Sequence, residues 1–184
     1  MALAWPERPP VLTGHDLVLR APAPRDVDAI HRACQDPAIQ RFTRVPVPYA
    51  LADAEMFVGT LAPLGWNERI AASFLAVDHA DAVLGSVGLV GIDQATGVAE
   101  AGYWVAPWAR CGGVAARSMR VLAEWAFSIG VVSLELLIEP ENAASLAVAR
   151  AIGARDAGIR EGVAPIRGIR RVHTVQVVDA STWG

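Results

Sequence analysis

The chain has 184 residues, of which 53% are hydrophobic and 19% charged, and a formal net charge of −3; this describes one folded domain with a sizeable core and excludes extended disorder. All 16 basic residues are arginine, so a phosphate-loop lysine and a lysine Schiff base to pyridoxal phosphate are excluded. The acidic balance also leaves no strong signal for nucleic-acid binding.

Cys34 and Cys111 lie far apart and form no CxxC pair, so neither a disulfide framework nor a cysteine zinc site is expected, and no metal is implied. The longest apolar run, 82–92, is too short to cross a bilayer. The first residues lack the basic start and apolar stretch of a signal peptide. A soluble cytoplasmic protein is expected, with no membrane partner and with room for a homodimer.

Eight of the 12 prolines precede Tyr49, and residues 1–14 read as an irregular arm before a single domain over 15–184. A short strand is expected at 17–20. A helix follows from Arg25 to Cys34, with Val27, Ile30 and Cys34 on one face and Asp36-Pro37 as its stop. Residues 39–44 have no period and read as loop. A second helix is predicted over 51–61. Three strands at 72–77, 82–91 and 100–105, joined by short turns at 78–81 and 93–97, imply an antiparallel meander. A helix over 114–129 has Val114, Met119, Leu122, Trp125, Ala126 and Ile129 on its buried side, with Gly130 as a natural C-terminal cap. A strand at 133–138, a short helix at 143–152 and two closing strands near 158–161 and 171–178 complete the chain. The order β-α-α-β-β-β-α-β-α-β-β describes an α/β fold: a single mixed, mostly antiparallel central sheet flanked by helices.

The segment Arg110, Cys111, Gly112, Gly113, Val114 and Ala115 stands at a strand-to-helix junction. Adjacent glycines there let successive backbone N–H groups converge on one concavity, and the helix N-terminus adds partial positive charge. A pyrophosphate or a similar anion suits such a receptor.

This segment resembles the acyl-CoA-binding region of the GNAT superfamily of N-acetyltransferases, whose [RQ]-x-x-G-x-[GA] pattern is met by Arg110, Gly113 and Ala115 after the strand Gly102, Tyr103, Trp104, Val105. A second signature, an Asn with a Ser three residues later and a Gly near the helix end, is met by Asn142, Ser145 and Gly153. Together with the element order the resemblance covers about residues 17–178. With Ile159, Arg160, Glu161 and Gly162, the chain looks most like the branch that includes the acetyltransferases of ribosomal-protein N-termini. It departs from the family at Gly112, where members often carry a basic residue, and at Ala149, where many place a tyrosine that protonates the leaving thiolate.

The resemblance implies acetyl-CoA as co-substrate, direct transfer of its acetyl group to a primary amine, and a protein N-terminus or a small-molecule amine as acceptor. The backbone of Arg110 to Ala115 would hold the diphosphate, with Trp104, Val105 and Asn142 also at the cofactor, and a backbone N–H near Val105 would polarise the thioester carbonyl. Glu161 and Glu100 are the two candidates for the base, and Ser145 is the candidate hydrogen-bond partner of the CoA sulfur. Trp66, Trp104 and Trp108 are candidates to line the acceptor pocket. His31 and His173 read as structural or solvated, and the arginines at 167, 170 and 171 as a solvated hairpin face, with an acidic acceptor or partner as their alternative. The competing readings are an acyl-CoA-binding sensor that turns over poorly and an interaction module on the same fold.

Overall fold

The computed structural model describes residues 3–162, 168 and 170–184. Two strands, β1 (Leu12–Gly14) and β2 (Leu17–Arg20), form a hairpin, so the end of the expected arm is already part of the sheet. Upstream of it, the Trp5 indole donates to the Trp66 carbonyl and packs on the Trp66 and Trp125 rings.

Helix α1 (Val27–Ala33) ends where expected, but the segment after it is helical rather than a loop: α2 spans Pro37–Phe42. The Asp36-Pro37 pair that reads as a stop is a start. The Asp36 carboxylate accepts the N–H groups of Ala38 and Ile39, and a proline in the first turn costs no hydrogen bond. The second predicted helix is also longer. It runs as α3 (Leu51–Met56), a wide π-type stretch at Phe57–Leu61 and α4 (Ala62–Asn67).

The meander is present as β3 (Ala72–Val77), β4 (Val83–Asp93) and β5 (Val98–Val105), all antiparallel neighbours. β4 and β5 approach closely at Gly85, where any Cβ would stand 2.4 Å from the Trp104 carbonyl oxygen, so only glycine fits. Helix α5 (Val114–Ser128) then crosses to β6 (Ser133–Ile138), which lies parallel to β5. Helix α6 (Ala143–Ala151) leads to β7 (Arg155–Glu161) and β8 (Val172–Asp179). The eight described strands form one sheet in the order β1-β2-β3-β4-β5-β6-β8-β7, with the β5–β6 pair its one parallel contact.

Alternation along the strands divides the core between two faces. On one, Leu19, Phe74, Leu89 and Leu134 pack under Met119, Leu122 and Trp125 of α5 and Ala149 of α6. On the other, Leu75, Val77 and Val83 pack under Ile30 of α1, Ile39 of α2 and Ala54 of α3. Each fully buried large aliphatic side chain contributes about 1.5–3 kcal/mol to this arrangement. No described helix is long and apolar enough to cross a membrane.

Candidate active site

β5 and β6 begin as neighbours and then part. Their parallel ladder holds Val98 to Ser133, Ala99 to Leu134 and Glu100 to Glu135, and has no pair beyond that. Each strand keeps its outer partner much further: β5 stays on β4 to the Val105–Gly85 pair, and β6 stays on β8 to the Ile138–Thr174 pair. The inner edges of 101–105 and 136–138 therefore line a gap whose backbone groups are available to an extended ligand.

The loop preceding α5 lies at the far end of β5. Its left-handed residues are Cys111 (φ 64°) and Gly113 (φ 69°), so the curl is built on the first and third of the three residues rather than on the glycine pair. Gly113 is the N-cap of α5 and no side chain caps the helix. The first-turn N–H groups, which an α-helix cannot satisfy internally, thus meet the positive end of the macrodipole. A Cβ on Gly113 would find nothing within 4 Å, so the space over the loop is open. Arg117 braces the loop by donating to the Gly112 and His15 carbonyls.

Arg110 is committed elsewhere. Its guanidinium grips Asp36 through both nitrogens, at 2.6 and 3.2 Å, and holds that carboxyl below the usual range, tying the loop to the N-terminus of α2. What the loop leaves open to a ligand is accordingly its backbone N–H groups rather than the Arg110 side chain.

The Asn142 and Ser145 spacing is a helix N-cap: the Asn142 side-chain oxygen accepts the Ser145 N–H at 3.1 Å. From β5, Tyr103 reaches towards Ser145. Burial pushes the Tyr103 hydroxyl up to about 12, with Ser145 pulling the other way, and the hydroxyl makes no hydrogen bond of normal geometry with a described residue. Ala149, where the family tyrosine would stand, is fully buried in the core.

A cavity of about 430 Å³ lies over the gap, between the sheet and the segment from α1 to the π-type stretch. Glu100, Trp104, Asn142 and Ser145 line it, whereas Val105 and the Arg110-to-Ala115 loop stand outside its walls. Glu161, at the end of β7, is exposed and does not line the cavity. Trp66 is in the core beside Phe74 and Trp125, and Trp108 donates to the Val83 carbonyl under Arg32, so neither is a wall of the cavity.

Three wall residues were not expected at the site. Arg44 pairs with Glu100 at 2.9 Å. His173, read as structural or solvated, lines the cavity, and its buried Nδ1 has no partner among the described residues. Arg171, read as part of a solvated hairpin face, is instead mostly buried: it binds Glu139 and donates to the Arg41 carbonyl. Burial works to raise the Glu139 carboxyl, but Arg171 and Arg41 outweigh it and hold it below the usual range. Arg167 falls outside the described residues. Among the described residues no group of three or more His, Cys, Asp or Glu is arranged to hold a metal ion.

A mixed sheet that opens beside an uncapped helix N-terminus is the architecture of an acyl-CoA-dependent acetyltransferase. The acetyltransferase (GNAT) domain family matches residues 16–155, and the chain belongs to that family. Uncharacterized N-acetyltransferase p20 of Bacillus licheniformis is 24% identical over 146 residues, which cover 78% of this chain and 81% of that protein. Among solved structures, Mycobacterium smegmatis RimJ, in complex with CoA-disulfide, matches with a TM-score of 0.82 at 20% identity over 98% of this chain and 91% of its own. The ribosomal-protein-S5-alanine acetyltransferase of Vibrio fischeri matches with a TM-score of 0.77 at 17% identity, covering 95% of this chain and 99% of that one.

Proposed function

We propose that the protein transfers an acetyl group from acetyl-CoA directly to a primary amine. The observation that carries this reading is the end of the β5–β6 ladder at Glu100 and Glu135, past which the residues of both strands line the cavity. The residues present fit the donor. The open backbone receptor at 111–115 suits its diphosphate, and the free edge of 101–105 suits its amide-bearing arm. Acetyl-CoA supplies an activated thioester.

In this reading the amine nitrogen attacks the thioester carbon, the C–S bond breaks, and the amide and free CoA leave. Backbone N–H groups on the open edge of β5 face the carbonyl oxygen as it gains charge. Glu100 receives the amine proton, being the candidate base that lines the cavity. Its Arg44 partner is 61% exposed, and such an ion pair is worth about 0–1 kcal/mol, so an incoming ammonium displaces it at little cost. Ser145 and Tyr103, half-buried neighbours in the cavity lining, hydrogen-bond the departing sulfur in place of the absent family tyrosine.

Two measurements test this. Saturating acetyl-CoA should raise the melting temperature, since it binds the folded chain alone, and free CoA should appear only when a primary amine is added. A melting shift without turnover on any amine would leave a sensor. No shift at all would overturn the reading.

A further inference from the structure

Each carboxylate of the cavity has a hydrogen-bond partner before any acceptor arrives. Three carboxylates line it: Glu100, Glu139 and Asp53. Glu139 is held by Arg41 and Arg171, and its pair with Arg171 has side chains only 10% and 11% exposed. Breaking a pair that deep leaves a buried charge uncompensated, which is strongly unfavourable. Asp53 accepts the N–H of Ala50 and thereby caps α3. Glu100 is left, with one largely exposed arginine that can swing away. Arg44 and Arg171 line the cavity with the carboxylates and Arg41 reaches Glu139 from outside its walls, so Glu100 is the ion-paired carboxylate whose arginine an incoming cation can displace.

Much of the remaining lining is apolar: Phe42, Val45, Met56, Phe57 and Leu61 from the helical segment, and Val90 from β4 beside Glu100. Met56, Leu61 and Val90 are 56%, 52% and 46% exposed, large apolar surfaces in the wall that no other part of the described chain covers. Of the cavity's buried side-chain polar atoms, the Tyr103 hydroxyl and His173 Nδ1 lack a partner among the described residues, and the open backbone edge of β5 is given to the donor's arm in the reading above. A volume of about 430 Å³ is that of a small-molecule site.

From these observations, and resting on the N-acetyltransferase reading above, we infer that the acceptor is a small primary monoamine with an uncharged apolar body. Its ammonium meets Glu100 and its body lies against the wall formed by Phe57, Met56, Leu61 and Val90. A polyamine brings further charges that Glu139 is not free to meet. A peptide N-terminus brings a run of backbone amides to a wall that has almost nothing to bond them.

The test compares 2-phenylethylamine, spermidine and an alanine-leading tetrapeptide as acceptors for the purified full chain with acetyl-CoA, following CoA release. The expected result is a kcat/KM for 2-phenylethylamine at least about tenfold above both others. In Met56→Glu, which adds a carboxylate to the exposed apolar wall, that preference should fall about tenfold or more, with spermidine gaining. A preference for spermidine or for the peptide in the wild type would overturn the inference and leave acetyl transfer standing. An unchanged preference in a folded Met56→Glu protein would overturn the assignment of this wall to the body. No acetylation of any of the three, despite an acetyl-CoA melting shift, would overturn the N-acetyltransferase reading itself.

Discussion

Glu100 and Glu135 face each other across the last rung of the β5–β6 ladder, and each is bound to an arginine from another element, Arg44 and Arg160 respectively. Past them the two strands separate. The same rung thus marks the end of the parallel pairing and the position of the carboxylate proposed to meet the amine. Glu100→Gln keeps the shape and removes the proton acceptor, so kcat should fall by roughly 10²–10⁴ with little change in the KM for acetyl-CoA. Glu161→Gln, altering an exposed strand end away from the cavity, should keep near-wild-type turnover. Steady-state kinetics of the two variants check the assignment, and the opposite pattern would move the role to Glu161.

Tyr103→Phe separates chemistry from scaffold. The hydroxyl is buried and has no hydrogen bond of normal geometry among described residues, so removing it should leave thermal stability within about 0.5 kcal/mol of wild type or raise it slightly. If the hydroxyl bonds the departing sulfur, kcat should nevertheless fall about tenfold, the worth of one hydrogen bond of about 1.4 kcal/mol. Unchanged kcat would remove Tyr103 from the mechanism.

Much of this arrangement is legible in the sequence because it is local. The meander, the β5–α5–β6 crossover and the loop before α5 follow from strand alternation, short turns and a glycine pair at a strand-to-helix junction. Residues 37–42 misread because proline after an acid signals either a stop or a capped start, and the choice rests on the Asp36 hydrogen bonds and its distant partner Arg110. The acceptor wall has no motif. It is assembled from residues of α2, the loop at 43–49, α3, the π-type stretch and β4, which come together only in the folded chain. Glu161 stands out beside an arginine and a glycine in sequence, but Glu100 reaches the cavity because β5 turns residues 100, 102 and 104 to one face.

Gly113→Val should damage binding and folding together, by separable amounts. The position has φ 69°, a left-handed conformation that strains a β-branched residue by roughly 1–3 kcal/mol. The side chain would also project over the first-turn N–H groups. Differential scanning fluorimetry should show a lower melting temperature and no further rise with acetyl-CoA. A full acetyl-CoA shift in the variant would mean that the diphosphate binds elsewhere.

Glu139 makes stability sensitive to acid. Its folded-state carboxyl lies below the ordinary value because Arg171 and Arg41 outweigh burial. The pair's contribution is therefore complete above the unfolded value of about 4.3 and is lost as pH falls through the lower folded value. Glu139→Gln leaves Arg171 buried without its counter-charge and should cost about 3 kcal/mol at neutral pH. The gap between variant and wild type should narrow as pH drops below about 4. Urea unfolding at a series of pH values measures it, and a pH-independent gap would contradict the electrostatic origin.

The central claim is that the gap between β5 and β6 presents a thioester to an amine. Its most direct test is a single-turnover reaction of deuterated acetyl-CoA with excess 2-phenylethylamine, read by mass spectrometry of the amine and of the protein. The account predicts one labelled acetyl group on the amine, free CoA in equal amount, no label on the protein at any time, and loss of the product in Gly113→Val. Label appearing first on the protein, or none of 2-phenylethylamine, spermidine and the tetrapeptide acetylated while acetyl-CoA is bound, would contradict it.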